Sequence, residues 1–125
     1  MATPLECWRQ VLPETIFSKI VAGEVPADIV YQDDNVLAFR DVTPQAPTHI
    51  LVVPKKPLAN LLDAGDNNTL LLGQLMQAAA HVARMLGLDQ SGFRVVVNVG
   101  PDGGQSVDHL HLHVLGGRAL HWPPG

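Results

Sequence analysis

The chain has 125 residues, with eight basic side chains against twelve acidic ones, and a formal net charge of −4. That length fits one domain able to bury a core without disulfides or metal, and the single cysteine, Cys7, has no partner, so a reducing compartment is allowed. The basic residues form no stripe of the kind nucleic-acid binders carry, and the longest strongly apolar run, Ile50–Val53, is far short of the roughly 20 residues of a membrane-spanning helix.

In chain order, residues 1–13 read as an N-terminal arm and residues 14–125 as a single domain. The first fourteen residues carry Glu6 and Glu14 and no continuous apolar stretch, which argues against a signal or transit peptide and for a cytoplasmic protein. Thr15 is placed to cap a short helix running to about Ala22, with Ile16, Phe17 and Ile20 inward and Gly23 as its stop. Ile29–Gln32 and Val36–Asp41 read as strands joined by the turn residues Asp33, Asp34 and Asn35. A loop with two prolines, Thr43 to Pro47, leads to a third strand, His49–Val53, stopped by Pro54. The longest helix is expected from about Asn68 to Leu86. Leu71, Leu75, Ala79, Val82 and Leu86 give its apolar stripe, and Gln74, Gln77, His81 and Arg84 its polar one. Gly87 closes it. Two strands, Phe93–Val99 and Asp108–Leu115, follow on either side of the glycine-rich turn Gly100-Pro-Asp-Gly-Gly104. The sum is an α+β domain: a five-stranded, mainly antiparallel sheet with one long and one short N-terminal helix.

Three of the six histidines alternate along the last strand, in His109-Leu110-His111-Leu112-His113. Side chains two apart on a strand share a face, so the imidazoles line one side while Leu110, Leu112 and Val114 enter the core. Exposed strand faces ordinarily carry Thr, Lys or Glu, so this run points to chemistry. Two chemistries compete. His-x-His pairs on strands ligate zinc, but a spacing of about 6.7 Å between alternate side chains keeps all three from converging on one ion. Two of them with His49 remain as a metal reading, with no carboxylate or cysteine obviously placed to complete the set. The other reading is covalent and acid–base catalysis by the imidazoles, which are near neutrality at cytoplasmic pH. The preceding Gly103-Gly104-Gln105-Ser106 supports it, offering main-chain N–H groups and a hydroxyl to an anion. No Gly-Lys-Ser/Thr follows, so this is not a P-loop.

The segment Gln105-Ser-Val-Asp-His-Leu-His-Leu-His-Val-Leu-Gly-Gly117 resembles the alternating signature of the histidine triad family. The tail His121-Trp-Pro-Pro-Gly125 and the stretch from Asp41 through Pro47 and His49 to Lys56 resemble its Hint branch, the histidine triad nucleotide-binding proteins. The likeness runs from about Glu14 to the C-terminus. Asp108 departs from it, where many relatives carry an aromatic residue. The resemblance implies a homodimeric purine nucleoside phosphoramidase that binds purine nucleoside monophosphates and cleaves P–N bonds, with no cofactor and no metal. His111 would attack phosphorus, giving a nucleotidyl-histidine that water hydrolyses. His113 and Ser106 would hold the non-bridging oxygens, His49 would assist the leaving amine, and the carbonyl of His109 would accept the Nδ1–H of His111. Asp41 and Val42 resemble a ribose-contacting pair, Phe17, Ile20 and Val25 a wall around the base, and Asn98 a residue bordering the site. Gly104 and Gln105 belong with Ser106 to the phosphate loop. His121 and Trp122 reach a neighbouring subunit's site or simply pack. His81 and Lys55-Lys56 read as solvated. A nucleotide-binding regulatory module with little turnover would share this pocket.

Overall fold

The computed structural model describes residues 13–125, so the arm expected at 1–13 lies outside the described residues but for Pro13. Among the described residues the chain forms helix α1 (Ile16–Val21), strands β1 (Ile29–Gln32), β2 (Val36–Arg40) and β3 (Thr48–Pro54), a one-turn helix α2 (Leu61–Ala64) with a 3-10 turn (Asp66–Asn68), the long helix α3 (Thr69–Met85), and strands β4 (Phe93–Val96) and β5 (Leu112–Gly116). The sheet order is β1-β2-β3-β5-β4, with every neighbouring pair antiparallel. The α+β architecture expected from the sequence is the one observed.

Alternation along the strands explains the two sides of this sheet. Val36, Ala38, Ile50, Val52, Leu112 and Val114 point to one face, where α3 covers them with Leu75, Ala78, Ala79, Val82 and Ala83. Leu37, Phe39, Leu51 and Val53 point to the other, against Phe17 and Ile20 of α1. Replacing Leu75, which is fully buried at the centre of the α3 face, with alanine is expected to cost about 2–5 kcal/mol of stability. Urea denaturation measures it, and a loss below about 1 kcal/mol would mean that α3 packs loosely.

Helix α1 starts where expected, with the Thr15 hydroxyl accepting from Ser18 N–H and the Ser18 hydroxyl accepting from Thr15 N–H. Ile16 is a correction: it is exposed, and Phe17 and Ile20 face inward with Val21 partly buried beside them. The 60–68 segment carries α2 and the 3-10 turn, which no periodicity announces in so short a stretch. The strand expected over Asp108–Leu115 pairs only from Leu112 onward. The segment before it is tied differently: Leu110 N–H donates to Leu58 O (2.6 Å) rather than to a strand. The strand expected at Phe93–Val99 likewise stops at Val96.

Candidate active site

The β3–β5 register places His49 opposite Leu115 and His113 opposite Leu51. The two histidines are therefore diagonal neighbours on the α1 face of the sheet, within reach of each other. Their rings meet, with Nε2 of His49 2.8 Å from Nδ1 of His113. Just before β5, two more imidazoles are held by carbonyls. Nε2–H of the buried His109 donates to Pro54 O (2.9 Å), and Nδ1–H of His111 donates to His109 O (2.7 Å). The rings of His111 and His113 lie 4.9 Å apart between centroids, and the edge of Phe17 closes on His111 at 5.0 Å. Alternation thus survives outside the ladder, because Leu110 is anchored in the core on the opposite side.

These contacts settle which nitrogens are free. Nε2 of His111 and Nε2 of His113 have no hydrogen-bond partner among the described residues, and no fully buried side-chain nitrogen there is left unpaired. The site therefore leaves those two atoms open, one beside the other. His111 is only 4% exposed. Burial pushes its pKa down, opposed by the bond to His109 and by the charge of Asp41. Burial also lowers His49 and His109. His113 falls furthest, to about 4, through burial first and then the neighbouring His111 and His49. The cluster is consequently neutral at physiological pH, and a neutral imidazole held by its Nδ1–H presents a lone pair at Nε2.

A mostly apolar cavity of about 350 Å³, lined among others by Phe17, Ile20, Val25, Phe39, Asp41, Val42, Leu51, Ser106 and Val107 but by none of the four histidines, meets the cluster through Phe17, which contacts His111, and Asp41, which contacts His49. The structure therefore brings together the expected base wall, the Asp41–Val42 pair and Ser106. Val42 is 97% exposed at the rim. Phe39, Leu51 and Val107 were not singled out from the sequence, where they read only as strand or loop residues.

The glycine loop is organised differently from a bare anion cradle. Gly104 N–H and Gln105 N–H already donate to Pro101 O and Gly100 O, both at 3.1 Å. The Gln105 side chain is spent on Gly100 N–H, Ala59 O and Val107 O. Asn98 straps the loop by donating to Gly103 O (2.6 Å). A Cβ on Gly103 would stand 2.3 Å from Val99 O, so only glycine lets the turn close this tightly. Gln105, Asn98 and Gly104 thus shape the turn that presents Ser106, and the Ser106 hydroxyl is the polar group the loop offers to the cavity. Trp122 is 83% exposed and does not line that cavity within this chain; its tail is tied by Arg94 donating to His121 O (2.8 Å). His81, on the polar side of α3, is exposed but packs its ring edge against Tyr31 at 5.0 Å.

One sequence expectation needs correcting. A carboxylate does stand beside the histidines: ligand atoms of Asp41, His49 and His113 lie within 4.8 Å of one another. As placed, the two histidines form a hydrogen-bonded pair, and an ion would have to displace the proton they share. Tetrahedral bonds of about 2.0–2.1 Å hold two nitrogens roughly 3.3 Å apart, whereas the His49 and His113 nitrogens are 2.8 Å apart and share a hydrogen bond.

A HIT domain model matches residues 22–120. A Brassica juncea protein named 14 kDa zinc-binding protein is 52% identical over 114 residues, covering 90% of this chain and 100% of its own. Among solved structures, a HIT family hydrolase from Legionella pneumophila is 49% identical with a TM-score of 0.88, over 90% of this chain and 100% of that one. A histidine triad nucleotide-binding protein from Candida albicans is 29% identical with a TM-score of 0.75, over 88% of this chain and 83% of that one.

Proposed function

The chain belongs to the HIT domain family, and on that premise we propose that it hydrolyses the P–N bond of purine nucleoside phosphoramidates, such as adenosine 5′-phosphoramidate, as a member of the Hint branch. The observation that carries this reading is the 2.7 Å bond from His111 Nδ1–H to its own chain at His109 O. It fixes the tautomer and leaves Nε2 as a buried, neutral nucleophile beside a nucleoside-sized cavity. A pocket that only bound nucleotides would have no use for that lone pair.

The chemistry balances on these residues. The Nε2 lone pair of His111 forms a bond to phosphorus as the P–N bond breaks, and the departing amine takes up a proton from solvent, which the attacking water returns when it hydrolyses the intermediate. Water then attacks phosphorus, releasing the nucleoside monophosphate and restoring His111. His113 Nε2–H and the Ser106 hydroxyl donate to the non-bridging oxygens as charge builds there. Phe17, Ile20 and Val25 hold the purine, and Asp41 at the cavity's edge accepts from the ribose diol. His49 stands behind His113, so it serves the leaving group through that ring. No helix among the described residues is long and apolar enough to cross a membrane. The edge of β4 away from β5 is unpaired among the described residues, and an open edge beside an exposed Trp122 favours a homodimer.

Turnover of a panel of adenosine and guanosine phosphoramidates, with AMP and ATP as binding controls, tests the reading. P–N hydrolysis is expected, unchanged after prolonged chelation. Tight AMP binding without any turnover would make the protein a nucleotide-binding regulatory module. Loss on chelation with recovery at stoichiometric zinc would instead assign the histidines to a metal.

A further inference from the structure

We infer that Asp41 is a positioning residue for His113, acting through His49, as well as a wall of the nucleoside cavity. The argument begins at a main-chain amide. Gln45 N–H lies 3.0 Å from Nδ1 of His49, and an amide N–H only donates, so that nitrogen carries a lone pair and the His49 proton sits on Nε2. Nε2 is 2.8 Å from Nδ1 of His113. His49 therefore donates, His113 accepts at Nδ1, and the proton of His113 is sent to Nε2, the atom facing the reaction. Gln45, His49 and His113 form a chain with one direction.

Asp41 holds that direction. Its Oδ2 is 3.5 Å from Nε2 of His49, the nitrogen that must keep its proton. Its Oδ1 accepts Thr43 N–H (2.8 Å), and its own N–H donates to His49 O (3.0 Å), so the carboxylate is fixed against the ring from two sides. A negative charge at that place favours the Nε2–H form of His49 and penalises the alternative tautomer, which would also lose Gln45. Asp41 also lines the cavity in which the proposed function seats the nucleoside. Hydroxyls of a bound ribose would share that carboxylate with His49, so nucleoside binding and the hydrogen-bond direction at phosphorus meet in one side chain.

The kinetic part of this inference rests on the phosphoramidase reading; its spectroscopic part does not. In protein labelled with 15N-histidine, NMR of the wild type is expected to show His49 and His113 each protonated at Nε2 alone near neutral pH. Asp41→Asn, whose amide can donate to His49 Nε2, is expected to produce mixed tautomers at both rings, and Asp41→Glu to restore most of the wild-type pattern. In turnover, Asp41→Asn is expected to lower kcat by about tenfold or more on adenosine phosphoramidate and equally on its 2′,3′-dideoxy counterpart, which has no diol to lose. A penalty confined to KM on the diol substrate and absent on the dideoxy one would overturn the inference, as would unchanged 15N patterns in Asp41→Asn. If the wild type turns over no phosphoramidate, the proposed function fails and the tautomer pattern alone decides this point.

Discussion

His111→Ala is expected to lower kcat for P–N hydrolysis by at least about a thousandfold while changing AMP affinity by less than about tenfold. The asymmetry follows from where the side chain stands. His111 is buried beneath Phe17 with its Nδ1–H committed to His109 O, so it offers a ground-state ligand at most one contact at Nε2. One such contact is worth about 1.4 kcal/mol, a factor of ten. The bond it makes to phosphorus exists only along the reaction path, and its loss falls on kcat. His113→Ala should behave differently, weakening AMP and slowing turnover together, because a group that donates to phosphoryl oxygens serves both states. Single-turnover hydrolysis paired with AMP calorimetry on both variants separates the roles. Near wild-type hydrolysis by His111→Ala would remove the covalent step, leaving the histidines a binding role.

Much of this site was legible because its elements repeat with a period. The alternation of His109, His111 and His113 with Leu110, Leu112 and Val114 assigns faces whether or not the backbone is paired, and the structure keeps those faces although β5 begins only at Leu112. The α3 stripe likewise announces its own burial. What the sequence withheld is register. Asp41, His49 and His113 meet because β3 pairs with β5 and the main chain of Asp41 folds back on His49, and no local pattern encodes a contact between residues 64 positions apart. The loop shows the converse limit. Glycines announce a tight turn, but not that Gly104 N–H and Gln105 N–H are consumed inside it, which leaves Ser106 as the group that faces the cavity.

Acidification is expected to remove activity and stability together, at pH values below those of an ordinary histidine. His111 attacks only when unprotonated, and burial holds its pKa below the usual value of about 6.5. The acid limb of kcat/KM is therefore expected to begin below pH 6.5 and then to fall about tenfold per unit. The stability effect has the same sign. An unfolded chain takes up protons on its histidines as pH drops through about 6.5, whereas the folded cluster resists them, because burial first and then the neighbouring His111 and His49 disfavour a charge on His113, and a proton on its Nδ1 would also break the bond from His49. Wherever the unfolded state binds more protons, stability falls as pH falls. For His113 the window runs from about 6.5 in the unfolded chain down to about 4 in the fold, and the loss across it is on the order of 3 kcal/mol. His49, His109 and His111 shift in the same direction and add to the loss within that window. Urea midpoints from pH 7.5 to 4.5 measure the slope, with kcat/KM taken at each pH at which circular dichroism reports the folded protein. His113→Asn, whose side-chain oxygen can accept from His49 without titrating, should flatten part of the slope. A wild-type stability that is level across the window, or an acid limb centred above pH 6.5, would mean that these imidazoles are solvated and charged rather than held neutral beneath Phe17.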